Sequence, residues 1–273
     1  MKTFLSTVLL VLGGTLAFAQ TTQKPAPFSE LVIGYQRETF KMRDLQASPM
    51  RYYANLNGLR IQYNRLTLKN QWQVGIKVGA GDLIAPGLGI RGFKFSPEQE
   101  QPLWLIPTLY RGQLALDYLR AFRTTAHRST GLGVGLHETM GYADGLALGT
   151  WAFNSAELRV LYLTRLTLGQ RHTLTAGASL PVLAAVSRMP YSNVVSEPNR
   201  SEVASFFGGT RWATLNSYLN PAVKLDYNFA LSRRIGFGVG YRYQWMRYPE
   251  PRTIRTADHT LHVSLLYQFQ KRY

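Results

Sequence analysis

The sequence predicts an all-β fold: a transmembrane up-and-down antiparallel β-barrel of about ten strands. Three observations predict it. Segments with a two-residue hydrophobic period recur along the chain. Their connections alternate between short and long. The final segment, Leu261 to Tyr273, has Leu261, Val263, Leu265, Tyr267 and Phe269 on one parity and His262, Ser264, Gln268 and Gln270 on the other, and it stops on an aromatic ring.

Taken in order, the first nineteen residues read as a secretory signal peptide. Lys2 supplies the positive start, Phe4 to Leu16 the apolar stretch, and Ala17-Phe18-Ala19 the small-residue cleavage site before Gln20. Residues 20–29, with Pro25 and Pro27, form a polar leader. The barrel is expected over residues 30–273.

The first strand is predicted over Leu31 to Thr39, with Leu31, Ile33 and Tyr35 on the oily side. In the second, Leu59, Ile61 and Tyr63 oppose Arg60, Gln62 and Asn64; Lys69-Asn70 then turns the chain. The third sets Trp72, Val74, Ile76, Val78 and Ala80 against Gln73, Gly75, Lys77 and Gly79. The fourth has Leu114, Leu116 and Tyr118 opposed by Gln113 and Asp117, and the fifth has Leu132, Val134 and Leu136 alternating with glycines and His137. In the sixth, Ala156, Leu158, Val160 and Tyr162 oppose Glu157 and Arg159. Gly169-Gln170 leads to the seventh, with Leu174, Ala176, Ala178 and Leu180 on one face. The eighth, Leu219 to Ala230, has Val223, Leu225, Tyr227 and Phe229 against Lys224, Asp226 and Asn228. The ninth has Phe237, Val239, Tyr241, Tyr243 and Trp245 against glycines, Arg242 and Gln244.

Connections near Lys69, Thr125, Gly169 and Arg233 are short; those at Lys41–Leu56, Leu83–Pro107, Gly141–Ala152, Val186–Thr214 and Pro249–Ala257 are longer. This parity puts both termini and all short turns at one end. Trp72, Phe122, Tyr227, Phe229, Tyr267 and Phe269 are expected at the short-turn rim, and Tyr243, Trp245 and Trp151 at the other. A soluble β-sandwich is the competing fold.

Composition narrows the function classes. The chain has no cysteine, which excludes disulfides and thiolate chemistry. A net charge of +16 calls for anionic partners. No basic helix or stacking motif fits nucleic acid, so lipid headgroups and small anionic solutes are the expected ones. The five histidines are dispersed without metal-ligand spacing, and no phosphate-cradling loop opens a helix, so neither metal nor cofactor is expected.

The leader, the alternating segments, the loop asymmetry and the aromatic last strand resemble those of bacterial outer-membrane β-barrel proteins. The resemblance implies insertion in that membrane, short periplasmic turns and longer external loops. It also implies that Tyr273, with Phe269 and Tyr267, is the signal read by the barrel-insertion machinery.

The predicted lumen collects Arg60, Lys77, Arg111, Arg159, Lys224 and Arg242 with Asp117, Glu157 and Asp226. These form a structural ion-pair network, a narrow anion-selective path or a ligand-binding interior. Catalysis has weaker candidates. His262-x-Ser264 has the spacing used by barrel lipid A deacylases, but both residues are expected to point inward with no acidic orienter. Omptin-type proteases carry acidic residues and a histidine at the outer rim; His137, Glu138, Asp144, Asp258 and His259 fall in that broad zone, without the family's closely spaced aspartate pair. The preferred expectation is a non-enzymatic structural or binding barrel. Its basic external positions, Arg43, Arg51, Arg91, Lys94, Arg188, Arg200, Arg211, Arg252 and Arg255, are expected to meet phosphates of the outer-leaflet glycolipid.

Overall fold

Alternating side chains force this chain into paired strands, and pairing is satisfied only when the sheet closes. The computed structural model describes residues 28–67, 69–87, 92–94, 96–101, 103–104, 106–125, 127–146, 149–189 and 201–269. The signal peptide, most of the leader and Tyr273 lie outside the described residues.

Ten long strands form the wall. They are β1 (Phe28–Asp44), β2 (Tyr52–Leu66), β3 (Asn70–Ile84), β6 (Thr108–Thr124), β7 (Arg128–Leu146), β8 (Gly149–Leu168), β9 (His172–Arg188), β11 (Ala222–Ala230), β12 (Ile235–Tyr248) and β13 (Ile254–Phe269). Each is antiparallel to its neighbours, and β13 pairs with β1 from Ser29↔Phe269 to Asp44↔Ile254, so the first and last strands close the cylinder. Two short strands, β4 (Gly92–Phe93) and β5 (Leu103–Trp104), pair within one long outer loop.

The predicted faces hold. Ile33, Leu59, Ile76, Leu116, Val134, Val160, Val223, Val239 and Leu265 are all exposed on the outside of the wall, while Glu30, Gln36, Arg60, Asn64, Gln73, Asp117, Glu157 and Arg159 are buried inside. An exposed apolar belt around a closed polar-lined cylinder fits hydrocarbon, not water. The Trp72 and Tyr118 rings meet at a tilt with centroids 4.7 Å apart, and Tyr267 and Phe269 meet edge to face at 5.0 Å, on the short-turn rim.

The strands run further outward than predicted, because the alternation changes phase. Along β1, Ile33 and Tyr35 are exposed and Gln36 and Glu38 buried; a few residues on, Phe40 and Met42 are buried while Lys41 and Arg43 are exposed. Above the hydrocarbon the outside meets water and the inside becomes the dry side. The predicted external loop Gly141–Ala152 is accordingly mostly strand, with β7 reaching Leu146 and β8 starting at Gly149.

That outer section holds an apolar core. Phe40, Met42, Leu109, Phe153, Met246 and Ile254 are among the buried side chains that pack together there. Trp151 is corrected by it: rather than joining an outer aromatic belt, its ring is buried in this core. Each fully buried large apolar side chain contributes about 1.5–3 kcal/mol.

The eighth wall position is also corrected. Leu219 makes a single antiparallel bridge to Arg247 on β12, Asn220 and Pro221 interrupt the strand, and it resumes at Ala222. The position is shared by β10 (Arg211–Thr214), which lies in the region predicted as loop, and by β11; both pair with β9. Between them the chain tucks Tyr218 and Asn220 into the interior, where both are buried. Pro181 on the facing strand has no N–H to offer a ladder partner. β8 and β9 shift register between Leu158 and Arg159 opposite it.

Candidate functional site

The inward polar side chains stack in tiers. At the mid-wall, Asp117 on β6 meets His137 on β7, Oδ1 to Nε2 2.7 Å. Asp226 on β11 meets His262 on β13, Oδ1 to Nε2 3.1 Å. Both contacts pass over a glycine. A Cβ on Gly135 would strike Asp117 Oδ1, and one on Gly240 would strike Asp226 Oδ1 and the His262 ring. Glycine is required here so that two side chains can meet over the backbone.

Above these, Arg111 holds Glu38 and, at 3.0 Å, Asp258. Arg159 Nη1 donates to Glu157 Oε2 at 2.5 Å, and its Nη2 donates to the Asn220 carbonyl at 2.5 Å. Glu157 Oε1 also accepts from Tyr218 Oη at 2.5 Å and Asn220 Nδ2 at 2.7 Å, so the inward tuck of the broken strand is fastened to a buried carboxylate. A buried ion pair needs such further hydrogen bonds; Arg159 Nε alone of this group has no partner among the described residues.

Four cations are differently placed. Arg60, Lys77, Lys224 and Arg242 face the same space without a carboxylate in ion-pair range among the described residues. Arg60 donates to Gln62 and Arg242 to Gln113 and Gln244, all neutral acceptors. The space they line measures 140 Å³. A second cavity of 650 Å³ opens below it, between the short turns.

All nine residues predicted for the lumen therefore point inward, yet they divide into paired and unpaired groups. Sequence reasoning missed Glu30, Glu38, Arg165 and Asp258 as lumen charges; the last lay between the predicted loop Pro249–Ala257 and the predicted last strand and was weighed as a rim residue.

His262 is corrected in one respect: Asp226 does orient it. Ser264 does not complete a catalytic set, because its buried Oγ has no hydrogen-bond partner in the structure. The rim residues weighed for proteolysis do not converge. His137 and Asp258 lie inside the barrel on other partners, and His259 contacts Tyr241 Oη at 2.7 Å.

On the outer surface, Arg43, Arg255 and Arg247 form one cross-strand row over β1, β13 and β12: Arg43 is opposite Arg255, and Arg255 opposite Arg247. All three are exposed, and none makes an ion pair among the described residues. Lys41 adds a fourth exposed charge two residues below Arg43. Arg188, predicted beside them, is corrected: it reaches into the mouth, where Nη2 contacts Asp44 Oδ1 at 2.5 Å. Arg211 is exposed but contacts Glu250 at 3.0 Å. Arg91 and Arg200 lie outside the described residues.

The whole cylinder superimposes on the outer membrane protease OmpT from Escherichia coli with a TM-score of 0.54 at 9% identity, over 92% of this chain and 99% of that one. This is the fold of the outer-membrane β-barrels. The likeness to the protease extends to the fold alone. The barrel is more distantly similar to Ail of Yersinia pestis, solved with the heparin analogue sucrose octasulfate (TM-score 0.32, 13% identity, 90% of this chain and 100% of that one). It is also similar to an outer membrane channel from Pseudomonas putida F1 (TM-score 0.41, 11% identity, 92% and 100%). No family model matches the barrel's sequence, and no curated protein matches it.

Proposed function

We propose that this outer-membrane barrel has a binding and structural role, holding the phosphates of the anionic outer-leaflet glycolipid on its external face. The single observation that carries this reading is the row Arg43–Arg255–Arg247. Like charges directly opposite on neighbouring strands destabilise a sheet. Three arginines in one row, with Lys41 below, make sense where an external anion neutralises them. The row follows Tyr243 and Trp245 on β12 and Arg37, Thr39 and Lys41 on β1, which puts it at the outer edge of the apolar belt or beyond it, where headgroups lie. Arginine forks match phosphate oxygens two at a time.

The apolar core of the outer section favours this role over a conducting one. Among the described residues its apolar side chains occupy much of the interior above the Arg111 tier. The test is glycolipid retention. Barrel purified from outer membranes in mild detergent is expected to carry phosphorylated lipid A, and its unfolding temperature is expected to rise when that lipid is added. Replacing Arg43, Arg247 and Arg255 together by Ala is expected to abolish both effects while keeping heat-modifiable gel mobility. Undiminished retention by that folded triple variant overturns the reading.

A further inference from the structure

We propose that the mid-wall chamber is a binding site for an oxyanion of the phosphate or sulfate class, reached from the periplasmic mouth. This site is separate from the external arginine row and does not depend on it.

Two cross-strand pairs carry the argument. Arg60 lies directly opposite Lys77 on β2 and β3, and Lys224 directly opposite Arg242 on β11 and β12. Each is a pairing of like charges, and both pairs line the same cavity. The two pairs also act on each other, since Lys77 feels the charges of both Arg242 and Arg60. A sheet gains nothing from such pairs by themselves. Inside a barrel wall, where solvent screening is weak, their cost grows.

Glu30, at the lower edge of the chamber, accepts from the side-chain amides of Asn64 and Gln268, and the carboxylates nearer the cations are engaged. Asp117 and Asp226 act on these cations from a distance, but each gives Oδ1 to a histidine. Glu38 and Asp258, in the tier above, are both held by Arg111. Buried donors are left over: Arg60 Nε and Ser264 Oγ, both on residues lining the chamber, have no hydrogen-bond partner in the structure. Guanidinium and ammonium groups converging on a small space, with spare donors between them, suit a compact, doubly charged anion rich in acceptors.

The route is defined as well. The chamber and the 650 Å³ cavity between the short turns share Glu30, Leu119, Leu163, Arg165 and Leu266 as lining residues. Arg165 stands at this junction without an ion pair among the described residues, and its Nε is another donor with no partner among them. An anion entering from the turn side passes Arg165, with Glu30 and the buried Leu119 and Leu163 beside it, before meeting four cations. The apolar core of the outer section lies at the other end.

The test uses full-length barrel in a neutral detergent free of phosphate and sulfate. Titration calorimetry with inorganic phosphate is expected to give one saturable site per barrel, and sulfate is expected to compete. Lys77→Met and Arg242→Gln are each expected to weaken binding about tenfold or more, the loss typical of one charge-assisted contact. Val239→Ala, on the outer face of the wall, is expected to leave it unchanged. A parallel titration with glycerol 3-phosphate separates two sources of the same chemistry: tighter binding than phosphate assigns the site to a phosphorylated solute, and equal or weaker binding to the free ion. Because lumen variants can fail to fold, phosphate is also tested on the wild-type barrel as a stabiliser against chloride at equal ionic strength. Absence of saturable phosphate and sulfate binding, or binding indifferent to folded Lys77→Met, overturns the proposal. A failure here leaves the glycolipid measurement untouched, so the two readings fall separately.

Discussion

Trp151 donates its indole N–H to Asp44 Oδ2 at 2.9 Å, joining β8 to β1 from opposite sides of the cylinder. Arg188 on β9 adds a 2.5 Å contact to the other oxygen of the same carboxylate. It also donates to the carbonyls of Glu250 and Arg252, at 2.5 and 2.7 Å. One buried aspartate thus ties three strands and the last outer loop together across the mouth. Replacing it leaves a buried guanidinium without its counter-charge. Asp44→Ala is expected to cost about 3–5 kcal/mol of folding stability, read as an earlier urea midpoint. Asp44→Asn, which keeps an acceptor for the Gln46 N–H, is expected to cost less. Equal and small losses in both would mean that the mouth is not held at this point.

The outer wall offers a test by depth. Val134 lies mid-belt and Tyr142 nearer the outer end of the same strand, and both are exposed. Val134→Arg is expected to cost about 2–4 kcal/mol in lipid, and Tyr142→Arg about 0–1 kcal/mol. The comparison is made by equilibrium unfolding from vesicles. If both substitutions cost the same, the oily face is not meeting hydrocarbon.

Much of this architecture was legible because one period, read on ten segments, distinguishes two environments. Leu59, Ile61 and Tyr63 against Arg60, Gln62 and Asn64 needed no structure to assign. The outer section escaped the same reading for a physical reason. From Phe40 to Asp44 the period of two persists, but its sign reverses, since the dry side is now the inside. A search for oily-outside strands ends at Thr39 and takes the rest for loop. The site divides similarly. Parity placed Arg60, Lys77, Lys224 and Arg242 inside, but which carboxylates they meet depends on register across strands far apart in sequence. Asp226 and His262 meet over Gly240, a contact that spans three strands and leaves no local signal.

Glu157 is the anchor of the broken strand, accepting from Tyr218, Asn220 and Ser155 while pairing with Arg159. Glu157→Ala strands Arg159 in the interior and is expected to destabilise the barrel by about 3–5 kcal/mol. Tyr218→Phe removes one hydrogen bond to a charge and is expected to cost about 1.5–3 kcal/mol. If the tuck is held by this carboxylate, a double variant costs less than the sum of the two, because the residues share a network. Additive losses in the cycle would separate Tyr218 from Glu157.

The apolar core makes a prediction about conduction. Phe40, Leu109, Met246 and Ile254 line one small pocket of 20 Å³ beside Arg111, so apolar side chains narrow the interior there. Wild-type barrel in planar bilayers is expected to be silent. Phe40→Ala with Ile254→Ala removes two of the blocking side chains, at a stability cost of about 2–5 kcal/mol each. Any current that appears is expected to favour anions, since ions then pass Arg60, Lys77, Lys224 and Arg242, which lack paired carboxylates. Leu114→Ala with Leu136→Ala shortens only lipid-facing side chains and is expected to leave the bilayer silent. Steady conductance from the unmodified barrel would show that the outer core is not a seal, and would move the binding role on the external face behind a transport role.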